Sequence, residues 1–254
     1  MKKLPLFLFI GAIGIAIYLV VYLDGGNVKI KTEKRPKTET RKVEKEPKVA
    51  RSRKVHEFDK IQVDGIFEVV VTYGSKEKVE IEAPNKTRKE IKLKVQSGTL
   101  LVKLDRSTLR YAKGSKIHVY TEKLNDFALS GTASVKLNNT LKDSSFSIKT
   151  AGTASFTGEL NVATAEIELA GASSVQLFGT ATAANLDLSG ASKLAGDDFN
   201  VHNLTVDMNG LSKATITCSQ RLEGNLSGIS KLSYAGSPNV KNMKISGSAT
   251  SQKK

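Results

Sequence analysis

Apolar and polar residues alternate with period two along most of the chain after residue 58. KIQVDG, FEVVVTYG, KVEIEAP, EIKLKVQSG, TLLVKL and KIHVY repeat this pattern, bounded by Gly, Pro, Asn or Asp signals. In the third, Val79 and Ile81 point one way while Glu80 and Glu82 point the other. In the fourth, Ile91, Leu93 and Val95 oppose Lys92 and Lys94. Period two predicts strands with one buried and one wet face. QSGT at 96–99 predicts a hairpin turn, and no amphipathic helix is expected in this region.

A second, longer period begins near residue 127. LSGTASV, TAGTASF, LAGASSV, LSGASKL, MNGLSKA, LSGISKL and ISGSATS align on Gly131, Gly152, Gly171, Gly190, Gly210, Gly228 and Gly247. The spacings are 21, 19, 19, 20, 18 and 19 residues, which is the signature of a solenoid. Four residues before each glycine stand Phe127, Ile148, Ile167, Leu186, Val206, Gly224 and Met243. Two before stand Leu129, Thr150, Leu169, Leu188, Met208, Leu226 and Ile245; four after stand Val135, Phe156, Val175, Leu194, Ala214, Leu232 and Ser251. Such columns predict short strands flanking a glycine corner, with inward residues stacked coil upon coil. A perimeter of about twenty residues predicts an all-β, right-handed parallel β-helix rising ~4.8 Å per coil. The leucine-rich pattern LxxLxLxxN is missing, and a propeller blade needs about twice this unit.

The hydropathy at the amino end has no such period. Leu4 to Leu23 is an unbroken apolar run after Lys2 and Lys3. Twenty helical residues span the ~30 Å hydrocarbon core, so residues 1–26 read as a signal anchor or signal peptide with a transmembrane helix over 4–23. The run is longer than a cleavable signal's apolar region and no A-x-A site follows it, which favours the anchor. Lys29, Lys31, Lys34, Arg35 and Lys37 follow closely, so the charge rule opposes the outward orientation that the signal-like start favours. Residues 27–57 hold 12 Lys/Arg and 5 Asp/Glu with almost no apolar periodicity and are expected to be a basic, disordered tether. The remaining divisions are a β-rich part at 58–128 and the repeat part at 129–254.

Charge and composition then narrow the function. The net charge of +14 divides into +8 for residues 1–57, +4 for 58–128 and +2 for 129–254, so the excess precedes the folded part and argues against a nucleic-acid partner. The one cysteine, Cys218, excludes an internal disulfide and a Cys-based zinc site; ATITCSQ places it as a small half-buried strand residue. His56, His118 and His202 lack ligand spacing, so neither a metal nor another cofactor is expected. No G-x-S-x-G, HExxH or phosphate-binding loop occurs. A carbohydrate-active enzyme on a β-helix would need clustered carboxylates. The candidates are Asp187 with Asp207, one coil apart, and the adjacent Asp197 and Asp198; without Trp for sugar stacking, catalysis is the lesser reading.

FDKIQVDGIFEVVVTYG at 58–74, the following KVEIEAP and the LSGAS-type repeats together resemble the head GIN domain of auto-transporter adhesins, over about residues 57–250. The resemblance implies an exported β-helical domain at the cell envelope, in the periplasm or at the cell surface, and carries no catalytic residues with it. Family members commonly use a signal peptide or a lipobox cysteine; no cysteine lies near this amino end, so lipoprotein anchoring is not expected.

One constellation remains. Three residues after the glycine stand Ser134, Ser155, Ser174, Lys193, Lys213, Lys231 and Thr250. Lys193, Lys213 and Lys231 are expected on adjacent coils, ~5 Å apart, where an acidic polymer would relieve their repulsion. The plainer alternative is that they splay into water and discourage aggregation. The expected function is a non-catalytic, membrane-tethered, adhesin-like module that binds envelope or extracellular polysaccharide, or a surface protein. The alternative is a structural or signalling accessory of the envelope.

Overall fold

The computed structural model describes the backbone at residues 6–9, 17–24 and 27–34, and the chain at 49–74, 77–104 and 114–254. Two compact units are present, Met1–Lys45 and Glu46–Lys254. In the first, β1 (Leu6–Phe9), β2 (Ile17–Asp24) and β3 (Asn27–Lys34) pair antiparallel in that order. No helix among the described residues is long and apolar enough to cross a membrane; the described parts of the run expected as a helix over 4–23 lie in β1 and β2. IYLVVYL in β2 is rich in the β-branched and aromatic residues that fit a paired strand. Residues 10–16 of the same run, and 35–48 of the expected tether, lie outside the described residues.

The second unit spans Glu46–Lys254. Its first strand, β4 (Val49–Lys54), belongs to the stretch expected to be a disordered tether but pairs antiparallel with β7 (Lys78–Ala83). Between them lie β5 (Lys60–Gly65) and β6 (Glu68–Tyr73). After β7 comes one short helix, α1 (Asn85–Glu90), where no helix was expected. Pro84, with φ −55°, precedes it, and Thr87 within it is buried. Then follow β8 (Ile91–Gln96), β9 (Thr99–Leu104) and β10 (Lys116–Thr121). The expected hairpin at 96–99 joins β8 to β9, with Ser97 and Gly98 both at positive φ as a two-residue primed turn requires.

The remainder is the predicted stack: β11 (Asp126–Gly131), β12 (Ser134–Leu137), β13 (Leu141–Thr150), β14 (Ser155–Leu169) and β15 (Ser174–Leu188). It continues through β16 (Lys193–Met208), β17 (Lys213–Leu226), β18 (Lys231–Ala235), β19 (Asn239–Ile245) and β20 (Thr250–Lys253). Every pairing from β11 onward is parallel, giving a β-solenoid. The expected columns hold residue by residue: Phe127, Ile148, Ile167, Leu186, Val206, Gly224 and Met243 are successive register partners.

The stack extends further toward the amino end than the repeats indicate. β5 pairs in register with β11, and β6 with β12, so Ile61 joins Phe127, Val69 joins Val135, and Gly65 joins Gly131. β9 and β10 then lie parallel on the other sides of β5 and β6, as a further coil. Spatial order and chain order therefore differ at this end: β9 and β10 stack outside β5 and β6. β8 closes this coil antiparallel on β9, and β7 closes it antiparallel on β10.

One continuous apolar core fills the coils. Phe127, Phe146 and Phe156 meet with ring centroids 5.1–5.7 Å apart. A further inward column runs Val162, Ala181, Val201, Cys218, which explains why Cys218 is fully buried rather than half-buried as predicted. At the corners, glycine backbones pack on glycine backbones. Gly190 has φ +70°, and a Cβ there would lie 2.6 Å from the Gly171 carbonyl oxygen. Both the left-handed conformation and the close approach demand glycine.

A basic and aliphatic edge beside the glycine corner

Immediately after each corner the chain re-enters a strand, and the position of re-entry is held by backbone hydrogen bonds between coils. The amide of Lys193 donates to the Ser173 carbonyl (2.8 Å), that of Lys213 to Ser192 (2.9 Å), and that of Lys231 to Ser212 (2.9 Å). Ser173, Ser192, Ser212 and Ser230 are buried inside the corner, which turns the next residue outward. Lys193, Lys213 and Lys231 are direct register partners on three consecutive coils, and all three are exposed. None forms an ion pair with another described residue. Ser174 precedes them in the column and Thr250 follows, so the charge is confined to three adjacent coils.

A second column stands beside the first, one residue after the glycine. It runs Ala172, Ala191, Leu211, Ile229 and Ser248, and each amide donates to the corner-glycine carbonyl of the preceding coil. Leu211 is 56% exposed and Ile229 61% exposed, the two most exposed large hydrophobic side chains described. Reading the repeats by their inward positions overlooked this pair. The signal was present all the same: MNGLSKA and LSGISKL put Leu and Ile where the other motifs have Thr, Ala or Ser.

The carboxylates expected as enzyme candidates fall into two groups. Asp187 and Asp207 are register partners, with Glu168 beside Asp187 on the preceding coil. Glu168 is paired with Lys149 at 2.6 Å, and Asn225 Nδ2 donates to Asp207 at 3.4 Å. Desolvation first, then the charges of Asp207 and Glu168, push the Asp187 carboxyl above its usual range. Ionised Asp187 therefore opposes folding. That penalty is missing below the ordinary value of 3.8 and grows as pH rises through the elevated folded-state value. Asp187→Asn is expected to raise Tm slightly near neutral pH and to leave it unchanged in acid, as calorimetry at both would show.

Asp197 serves the fold instead. Its carboxylate pairs with Lys254 and accepts from Thr215 Oγ1 at 2.9 Å, and its carbonyl accepts from Thr217 Oγ1 at 2.7 Å. Lys254 and then Thr215 hold its carboxyl below the usual range. Asp198, its neighbour in the chain, is exposed. Among the described residues, no three His, Cys, Asp or Glu side chains converge as a metal site. His118 lies 3.9 Å from Glu82, while His56 and His202 are exposed.

Comparison with known proteins agrees with this architecture. A structure described as a putative adhesin from Bacteroides fragilis superposes with a TM-score of 0.75 at 24% identity, covering 81% of this chain and 96% of its own. One described as a putative adhesin from Parabacteroides distasonis gives 0.67 at 15% identity, covering 82% and 97%. A third, described as a putative lipid binding protein from the same organism, gives 0.61 at 15% identity, covering 82% and 96%. At these identities the likeness is one of fold. None of the curated proteins matches the chain in sequence. The family model described as putative auto-transporter adhesin, head GIN domain, matches residues 57–238, from just before β5 to just before β19, and the chain belongs to that family.

Proposed function

We propose that the chain is an exported, adhesin-like binding module, built on a right-handed solenoid and held at a membrane by residues 4–23, that takes an acidic polysaccharide along Lys193, Lys213 and Lys231. The observation that carries this reading is the register of three lysines on consecutive coils, none of them ion-paired with another described residue. Adjacent strands are ~4.8 Å apart, so three like charges share one line, and a polymer bearing regularly spaced anions neutralises all three at once. A rigid face that repeats a weak contact gains affinity by simultaneous engagement. Family membership supports attachment to surface molecules rather than catalysis.

The tether rests on apolar length. A single segment enters hydrocarbon as a helix, which pairs its own backbone groups, and residues 4–23 are long enough to span it in that form. Release of the chain from membranes by alkaline carbonate would remove the tether from this reading.

The binding site has a direct test. The purified full-length chain is expected to bind polygalacturonate with an affinity that falls as salt rises. Lys193→Ser, Lys213→Ser and Lys231→Ser together are expected to weaken that binding about 30-fold at low salt, at under ~1 kcal/mol per exposed contact. Calorimetric titration reads the affinity, and an unchanged Tm shows that the fold is intact. Equal binding by the triple variant would take the lysines out of the function.

A further inference from the structure

The lysine column does not stand alone on its three coils. Leu211 precedes Lys213 by two residues, and Ile229 precedes Lys231 by two, so each basic coil of this pair carries an exposed aliphatic side chain at its corner. The corners are short and tied to their neighbours by the Leu211 to Gly190 and Ile229 to Gly210 hydrogen bonds, 2.7 and 2.8 Å. The two side chains are therefore held level with the wall, as a strip parallel to the lysine line. A ligand made only of charge and hydroxyl would cover the lysines and leave this strip in water.

We infer that the polysaccharide taken by this edge carries apolar substituents, O-acetyl or deoxy-sugar methyl groups, on the side of the chain away from its carboxylates. This rests on the proposal that the lysine ladder binds an acidic polymer. Three considerations select that chemistry. The charges form a single file at the coil spacing, which suits a linear polymer and gives no special advantage to the two-dimensional array of a bilayer surface. The apolar partners are branched aliphatics, and the chain has no tryptophan, so the flat stacking that aromatic residues offer a sugar ring is not what this strip provides. Small apolar groups, by contrast, pack well against Leu and Ile, and covering half-exposed aliphatic surface is favourable.

The test compares polygalacturonate with the same polymer after chemical O-acetylation, titrated into the purified full-length chain. The acetylated polymer is expected to bind about tenfold tighter, from roughly one or two methylene equivalents of surface buried in all. Leu211→Ser with Ile229→Ser should abolish that preference while leaving the affinity for plain polygalacturonate and the Tm unchanged, since both side chains are on the surface. The triple lysine variant should lose both polymers. Equal affinity of the wild type for the two polymers, or a preference that survives Leu211→Ser and Ile229→Ser, overturns this inference and leaves the lysine ladder standing. Failure of the wild type to bind either polymer overturns both. Tighter binding to phosphatidylglycerol vesicles than to either polymer, lost in the Leu211→Ser, Ile229→Ser variant, overturns it in favour of a membrane surface.

Discussion

Gly224→Val is expected to destabilise the domain by about 3–5 kcal/mol and to lower Tm by roughly 10 °C. The repeats by themselves argue the opposite. Gly224 occupies the inward column filled by Ile167, Leu186 and Val206 on the preceding coils, so valine there looks like the restoration of a missing core residue. The backbone forbids it. Gly224 sits at φ +143°, and a Cβ would lie 1.8 Å from the Val206 carbonyl oxygen and 2.7 Å from its carbon. The clash is with the backbone of the preceding coil, where Val206 and Gly224 are direct register partners, and it cannot rotate away. Thermal unfolding of the single variant decides the matter. A rise in Tm would mean that the column, not the backbone, governs this position.

The second large effect is expected at Phe156. Phe127 on β11, Phe146 on β13 and Phe156 on β14 form a triangle of rings, all but inaccessible to solvent, and the Phe127–Phe156 pair is close to edge-to-face. In its own column Phe156 lies between Val135 and Val175, which are too short to reach across the space it would vacate. Phe156→Ala is therefore expected to cost about 3–5 kcal/mol, the sum of lost transfer energy and an unfilled cavity. Phe156→Leu should cost markedly less because most of the volume remains. Chemical denaturation of the two variants gives both numbers, and equal losses would show that ring geometry rather than volume is what counts.

How much of this was readable beforehand depends on whether a feature repeats at short range. The inward columns from Phe127 to Met243 and the line Lys193, Lys213, Lys231 were legible because each residue recurs after about nineteen positions and parallel strands keep that register. Gly65 belongs to the same glycine stack, but its partner Gly131 lies beyond β7–β10, so the period is broken and the coil formed by β5 and β6 reads as ordinary alternating strands. Strand β4 was illegible for a different reason. VARSRK has little apolar content, and it is held by backbone pairing with β7, which composition does not reveal. Leu211 and Ile229 were visible as letters; an analysis of inward positions gives an outward corner no weight.

The inversion of order at the amino end bears on how the chain folds as it is made or threaded. Strands β5 and β6 gain parallel neighbours on one side only when β9 and β10 arrive, and on the other only with β11 and β12. Loop closure over these distances makes this the slow, nucleating event. Each later coil then needs only the next nineteen or so residues to dock on a finished template. A chain emerging amino end first would thus stall once, early, and afterwards advance by one coil at a time. Each completed coil would resist backward sliding, a ratchet built from connectivity alone.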